Sequence, residues 1–291
     1  MFLERVTGLK DSTKNHYKQK LYDAMGILGE EPITALTPER LRAYMKQRQT
    51  ETSDIQIRLE LTALSSMCEW ACDEELLQAN PVRQVRRKRL GKAAKHSRKV
   101  RPTSLQLILD YLKETYPGFW FPFIQLVLET GMRHEEALGL SWDEVDLTRG
   151  IIHLESERTK TSTGRNIPIP DTCLGTLKGL PQYEWSRWVF TNPRTRDRYV
   201  SINKQWGRIR DKLGLPKVRI HDMRHSFASW TDAMGLASLD RRRIMGHSSE
   251  EVHMRYSSVD EQVLRKRLND HSVGTYLAQE TEFKSEADEK E

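Results

Sequence analysis

Between Ile220 and Tyr256 the chain reads IHDMRHSFASWTDAMGLASLDRRRIMGHSSEEVHMRY, and four of its polar groups, His221, Arg224, His247 and Tyr256, recur at spacings suited to gathering around one phosphate. Arginine offers a planar fork that matches phosphate oxygens, and an imidazole can donate a hydrogen bond or move a proton near neutral pH. A tyrosine beside them can attack phosphorus covalently. Such a site would still lack a second arginine and a general acid. Upstream, ETGMRHEE supplies Arg133 just after a glycine turn, and RTKTSTGR supplies Lys160 at a hairpin. Taken alone, Lys160 reads as an ordinary solvated lysine.

Five motifs in this order, TGMRHEE, the lysine of RTKTSTGR, HDMRHSFAS, MGHSS and the final RY, resemble the tyrosine recombinase (phage integrase) family of site-specific recombinases, the group of the Xer and lambda-integrase enzymes. The resemblance implies a catalytic set of Arg133, Lys160, His221, Arg224, His247 and Tyr256, with Glu136 in support and His225 structural. Arg133 and Arg224, helped by His247, would bind the non-bridging phosphate oxygens. Tyr256 would attack phosphorus, leaving a 3′-phosphotyrosyl link and a free 5′-hydroxyl. A free tyrosine has a pKa of about 10, so a neighbour must take its proton; His221 is assigned that task, and Lys160 protonates the departing 5′ oxygen. The bond energy stays in the protein–DNA link and two arginines supply the electrostatics a metal would, so no cofactor and no metal are expected. The resemblance further implies double-stranded DNA with a specific crossover site, a Holliday junction, a homotetramer on paired sites and accessory DNA-bending proteins as candidate partners. A type IB topoisomerase shares the chemistry but swivels DNA instead of exchanging strands. An inactive DNA-binding relative is the reading from a different class, and the intact motifs weigh against it.

The fold expected is mainly α with a small antiparallel β-sheet. By the same resemblance, a helical core-binding (SAM-like) domain is expected over residues 1–82, a basic linker over 83–101, an α+β tyrosine recombinase catalytic domain over 102–272, and a segment that docks on a neighbouring subunit and ends in an acidic tail over 273–291. At 291 residues there is room for about two domains, each with its own core. Charged residues at 30% and hydrophobic ones at 37% describe a folded soluble chain rather than a disordered one. No run of about 18 apolar residues offers a membrane span, and the opening residues lack a secretory signal's apolar core. Cys68, Cys72 and Cys173 are too few for a disulfide framework and read as reduced core residues. A reducing cytoplasm is the simplest compartment for such a chain, and the family resemblance implies a prokaryotic or phage setting on the nucleoid.

The net charge of +6 matters less than its distribution. Residues 83–101, RQVRRKRLGKAAKHSRKVR, contain no acid, and Arg86, Arg87, Lys88, Arg89, Lys95, Arg98 and Lys99 are suited to a DNA backbone, where each neutralised phosphate releases counterions. Lys204 and Arg208 lie on the outer face of a predicted helix that either rests on DNA or is simply solvated.

Apolar spacing predicts the elements that hold these groups. Ser12 or Thr13 is expected to cap a first helix that buries Tyr17, Leu21, Met25 and Leu28. Thr37-Pro38-Glu39 opens a second, and a third runs from about Ser53 to Ala71 before Asn80-Pro81. Thr103 is expected to cap the helix carrying Leu105, Ile108 and Leu112, and the next ends at Thr130-Gly131, so that Arg133 begins the following one. Strands are predicted at Ile151-Ile152, at residues 165–170 and at Val189-Phe190. Ser201 is expected to cap the helix with Trp206 and Ile209. Gly246 stops a helix over Leu239 to Met245, and a last helix carries Leu264 and Leu268.

Overall fold

The computed structural model describes residues 11–85, 90–91, 100–155, 164–246, 261–270, 273–274 and 277. Lys160, His247, Tyr256 and the linker cations Arg86, Arg87, Lys88, Arg89, Lys95, Arg98 and Lys99 lie outside the described residues. The chain divides into two compact units, Met1–His96 and Ser97–Glu291.

The first unit contains three α-helices among its described residues, α1 (Asp11–Leu28), α2 (Pro38–Arg48) and α3 (Asp54–Asp73). Thr37 accepts a hydrogen bond from the Arg40 amide, and Ser53 stands at the corresponding cap of α3. Leu21 and Leu28 of α1, Leu41 and Tyr44 of α2, and Ile57, Leu61 and Cys68 of α3 close one core. Two expectations fail here. Ser12 and Thr13 lie inside α1, not at its cap, and Met25 is 42% exposed while Ala24 is fully buried. The seam therefore runs 21, 24, 28, the three–four spacing that faces a crossing helix.

At the middle of this unit sits a carboxylate, Glu60, with no exposed surface. It accepts hydrogen bonds from Tyr44 Oη at 2.5 Å and from Arg48 Nε and Nη2 at 3.1 and 2.8 Å. A buried charge persists only when paired and hydrogen-bonded in this way. Asn80 ends the helical run: its Oδ1 accepts from the Val82 amide at 2.9 Å and its Nδ2 donates to the Ser65 carbonyl at 3.0 Å.

The second unit is built on α5 (Trp120–Thr130), whose residues are buried at nearly every position, with α4 (Pro102–Thr115) beside it. Short α6 (His134–Leu138) leads to a three-stranded antiparallel sheet of β1 (Val145–Asp146), β2 (Ile151–Leu154) and β3 (Arg165–Pro168), ordered β1-β2-β3, in which Ile152 faces Val145 and Ile167. Next come α7 (Asp171–Lys178), the small hairpin β4 (Thr191–Asn192) and β5 (Asp197–Arg198), and helices α8 (Asn203–Lys212), α9 (Ile220–Ala233), α10 (Ser238–Met245) and α11 (Glu261–Asp270). The description is thus mainly helical with small antiparallel sheets.

Three boundaries differ from expectation, each for a physical reason. Pro102, which has no N–H to lose, takes the first position of α4, so Arg101 is the cap and Thr103 lies within the helix. Ile202, 4% exposed, precedes α8 at its cap position, and Ser201 makes no cap hydrogen bond. Val189 and Phe190 form no strand. Phe190 instead meets Phe119 and Phe123 edge-on at 5.9 and 5.4 Å, and the third strand is β1.

Helix α11 buries Leu264 and Leu268, Leu268 within this core, and Val273 and Leu277, the start of the segment assigned to subunit docking, are 4% and 5% exposed in the same cluster. Among the described residues no helix is long and apolar enough to cross a membrane.

Candidate active site

Two glycines in the left-handed region make the local turns that the site needs. Gly131 ends α5 with φ 62°, and Gly246 ends α10 with φ 64°. Glycine adopts this conformation without steric cost, which lets each helix reverse and expose its last carbonyls. At Gly131 the approach is also close: a Cβ there would lie 2.3 Å from the ring of Phe227, a fully buried side chain. Gly131→Ala is therefore expected to lose at least 1–3 kcal/mol, the typical cost of overpacking a core, and a lowered melting temperature of the full chain would register it.

Arg133 follows that turn as the cap residue of α6. Its amide donates to Glu136 Oε2 at 2.9 Å and its guanidinium to Glu136 Oε1 at 3.0 Å, so Glu136 braces it as expected. The other end of the guanidinium reaches the carbonyl of Gly246 at 3.3 Å. Arg224, on α9, is 3% exposed and donates to the carbonyls of Gly131 and Met245 at 2.5 and 2.7 Å. The two arginines of the two distant motifs thus meet between two helix ends. The final carbonyls of α10, at the negative end of its dipole, suit cationic donors.

A third arginine, which the sequence reading did not single out, completes this arrangement. Arg165, the first residue of β3, donates to both Glu136 oxygens at 3.2 and 2.6 Å and to the Ile244 carbonyl at 2.9 Å. Its side chain is 5% exposed. Three consecutive carbonyls, Ile244, Met245 and Gly246, therefore accept from Arg165, Arg224 and Arg133 in turn. A signal was available: Arg165 shares a strand face with buried Ile167, and a cation at an inward position calls for an internal carboxylate.

Among the described residues the charges of this site do not balance. Arg133, Arg165 and Arg224 face one carboxylate, Glu136, and Arg224 forms no ion pair among the described residues. Burial, and after it the charge of Arg133, pulls the Arg224 guanidinium below its ordinary range. For Glu136, burial acts upward but the hydrogen bond and charge of Arg165, then Arg133, prevail and hold the carboxyl below its usual range. The described site is a cluster of preorganised positive charge, suited to an anion.

His221 lies on the same helix as Arg224, one turn earlier, as an exposed residue whose ring is partly covered. His225 packs edge-on to it at 4.8 Å between ring centroids. Partial burial of the ring is the largest cause, followed by the charges of His225 and Arg224, of a lowered His221 pKa, which keeps the ring neutral and able to accept a proton. Of the outer cations, Lys204 and Arg208 are exposed on α8 as anticipated.

Residues 99–263, more than half of the chain, match the model of the phage integrase family. The chain belongs to that family. The integrase of Salmonella phage P22 is 23% identical over 175 residues, 56% of this chain and 44% of that protein. A shufflon-specific DNA recombinase of Escherichia coli is 27% identical over 208 residues, 69% of this chain and 50% of that one. This phage integrase family member spans about half the length of these curated relatives. A lambda integrase dimer bound to a COC′ core site matches with TM-score 0.70 at 18% identity, over 89% of this chain and 97% of that one. The lambda integrase tetramer bound to a Holliday junction matches with TM-score 0.67 at 17% identity, over 89% and 79%. Likeness at that identity establishes the phage integrase fold for the chain.

Proposed function

We propose that this chain is a site-specific DNA recombinase that integrates or excises a phage or mobile element. The observation that carries the reading is the meeting of Arg133 and Arg224 with an excess of positive charge, braced by Glu136 and Arg165. Attack on a phosphodiester gathers negative charge on the non-bridging oxygens, and fixed cations in a dry site stabilise that charge without reorganising.

In the reaction, Tyr256 Oη attacks the scissile phosphorus as His221 takes its proton. The bond from phosphorus to O5′ breaks, Lys160 protonates the departing oxygen, and a 3′-phosphotyrosyl link remains. Arg133, Arg224 and His247 hold the non-bridging oxygens. An incoming 5′-hydroxyl from the partner duplex reverses the step, so paired exchanges pass through a Holliday junction on a tetramer. No nucleotide cofactor and no metal enter this scheme. Support for the partners comes from lambda integrase, solved as a tetramer on such a junction, and the setting is the cytoplasm and nucleoid. The linker cations, with Lys204 and Arg208, contact the DNA backbone.

Because the His221 pKa is lowered, the base is neutral throughout the neutral range and charges only below the ordinary histidine value of about 6.5. Single-turnover cleavage is therefore expected to be flat through neutral pH and to fall only on further acidification; a fall beginning above neutrality would remove His221 from the role of base. Paired plasmids carrying the candidate crossover site separate recombination from relaxation. Joint products that require both sites support the recombinase, whereas relaxation of unrelated supercoiled plasmids by a monomer would favour a topoisomerase.

A further inference from the structure

We propose that Arg165 is a positioning residue for this reaction, holding Arg133 in its phosphate-binding pose through Glu136; the inference rests on the recombinase reading above. Arg165 occupies both oxygens of the carboxylate that also takes the amide and guanidinium of Arg133. Its third donor, Nε, is fixed on the Ile244 carbonyl at 2.9 Å, two residues before the carbonyl that accepts from Arg133. One planar fork therefore sets both anchors of the Arg133 side chain, the Glu136 oxygens and the end of α10.

Gly246 shows how tightly this fork is seated. A Cβ at that position would stand 2.9 Å from the Arg165 guanidinium carbon and from Nη1. The guanidinium would have to move, and its hydrogen bonds to Glu136 would go with it. A lysine at 165 could pair with one carboxylate oxygen but could not span Glu136 and Ile244 together. Without the fork, Glu136 loses its bidentate partner and is held less firmly, so Arg133 keeps its charge while the direction of its donors is less fixed.

The chemistry predicts coupling and not just loss. A group acting through Arg133 should matter little once Arg133 is gone, whereas a general weakening of the fold adds to any other change. The experiment measures single-turnover cleavage by the full chain carrying Arg165→Gln, Arg133→Ala, or both, with melting temperatures for each. The expected result is a 10- to 100-fold slower rate for Arg165→Gln, of the size seen when a group orienting a working residue is removed, and little further loss when it is added to Arg133→Ala. Arg165→Lys should recover only part of the rate, and it makes the same comparison if Arg165→Gln does not fold. Multiplicative losses in the double variant, or full activity of Arg165→Lys, would overturn the assignment. Wild type serves as the control for the underlying reading: absence of any cleavage by wild type at candidate sites counts against the recombinase function itself, while active wild type with additive variants counts against Arg165 alone.

Discussion

Arg224→Ala is expected to slow DNA cleavage by roughly 10²- to 10³-fold, about 3–4 kcal/mol in activation free energy, the usual cost of losing one oxyanion-type donor. At 3% exposure Arg224 adds almost nothing to the outer surface, so equilibrium binding to DNA and its salt dependence should change far less than the rate. Arg224→Lys should not restore activity. The native fork uses separate nitrogens for the Gly131 and Met245 carbonyls, and a single ammonium cannot hold both helix ends while facing phosphate. Single-turnover rates beside binding isotherms at several salt concentrations check the split. A variant that cleaves at the wild-type rate, or that fails only in binding, would contradict the placement of Arg224 at the reacting phosphate.

The second large effect is on stability, in the first unit. Glu60→Ala removes the one carboxylate that Arg48 and Tyr44 share and leaves a guanidinium at 18% exposure facing the core side. Breaking a buried ion pair by deleting one partner costs about 3–5 kcal/mol. Glu51, 2.9 Å from Arg48 but 40% exposed, offsets part of that loss at most. Amide hydrogen exchange in the full chain reads the effect locally: protection in α2 and α3 should fall strongly, and protection in α5 and α9 should not. Glu60→Gln, which keeps an acceptor for Tyr44, should lie between. Unchanged protection in α2 and α3 would show that the buried network carries no net stability.

Where the local chemistry was self-sufficient, the sequence was enough to read the structure. Thr37-Pro38-Glu39 contains its own cap and first-turn proline, and the two left-handed glycines at the site, Gly131 and Gly246, stand where apolar periodicity stops. The brace between Arg133 and Glu136 follows from a three-residue spacing. Contacts that join distant segments were not legible in the same way. Arg165 gains its importance from Glu136 and Ile244, 29 and 79 residues away in the chain. Val189 and Phe190 look like a strand because their side chains prefer burial, and an aromatic cluster satisfies that preference as well as a ladder does. Helix starts slipped for a related reason: Thr103 and Ser201 are competent caps, but Pro102 and the burial of Ile202 fixed the boundaries first.

Covalent capture of DNA reports directly on Tyr256 as the nucleophile. The wild-type chain is incubated with a duplex nicked beside its candidate crossover phosphate, taken from DNA flanking its gene, so that the short released strand diffuses away and the reverse step is lost. A denaturant-resistant protein–DNA adduct is expected with wild type and none with Tyr256→Phe. An adduct formed equally well by Tyr256→Phe would contradict that role, because the bond to phosphorus would then be made by another residue.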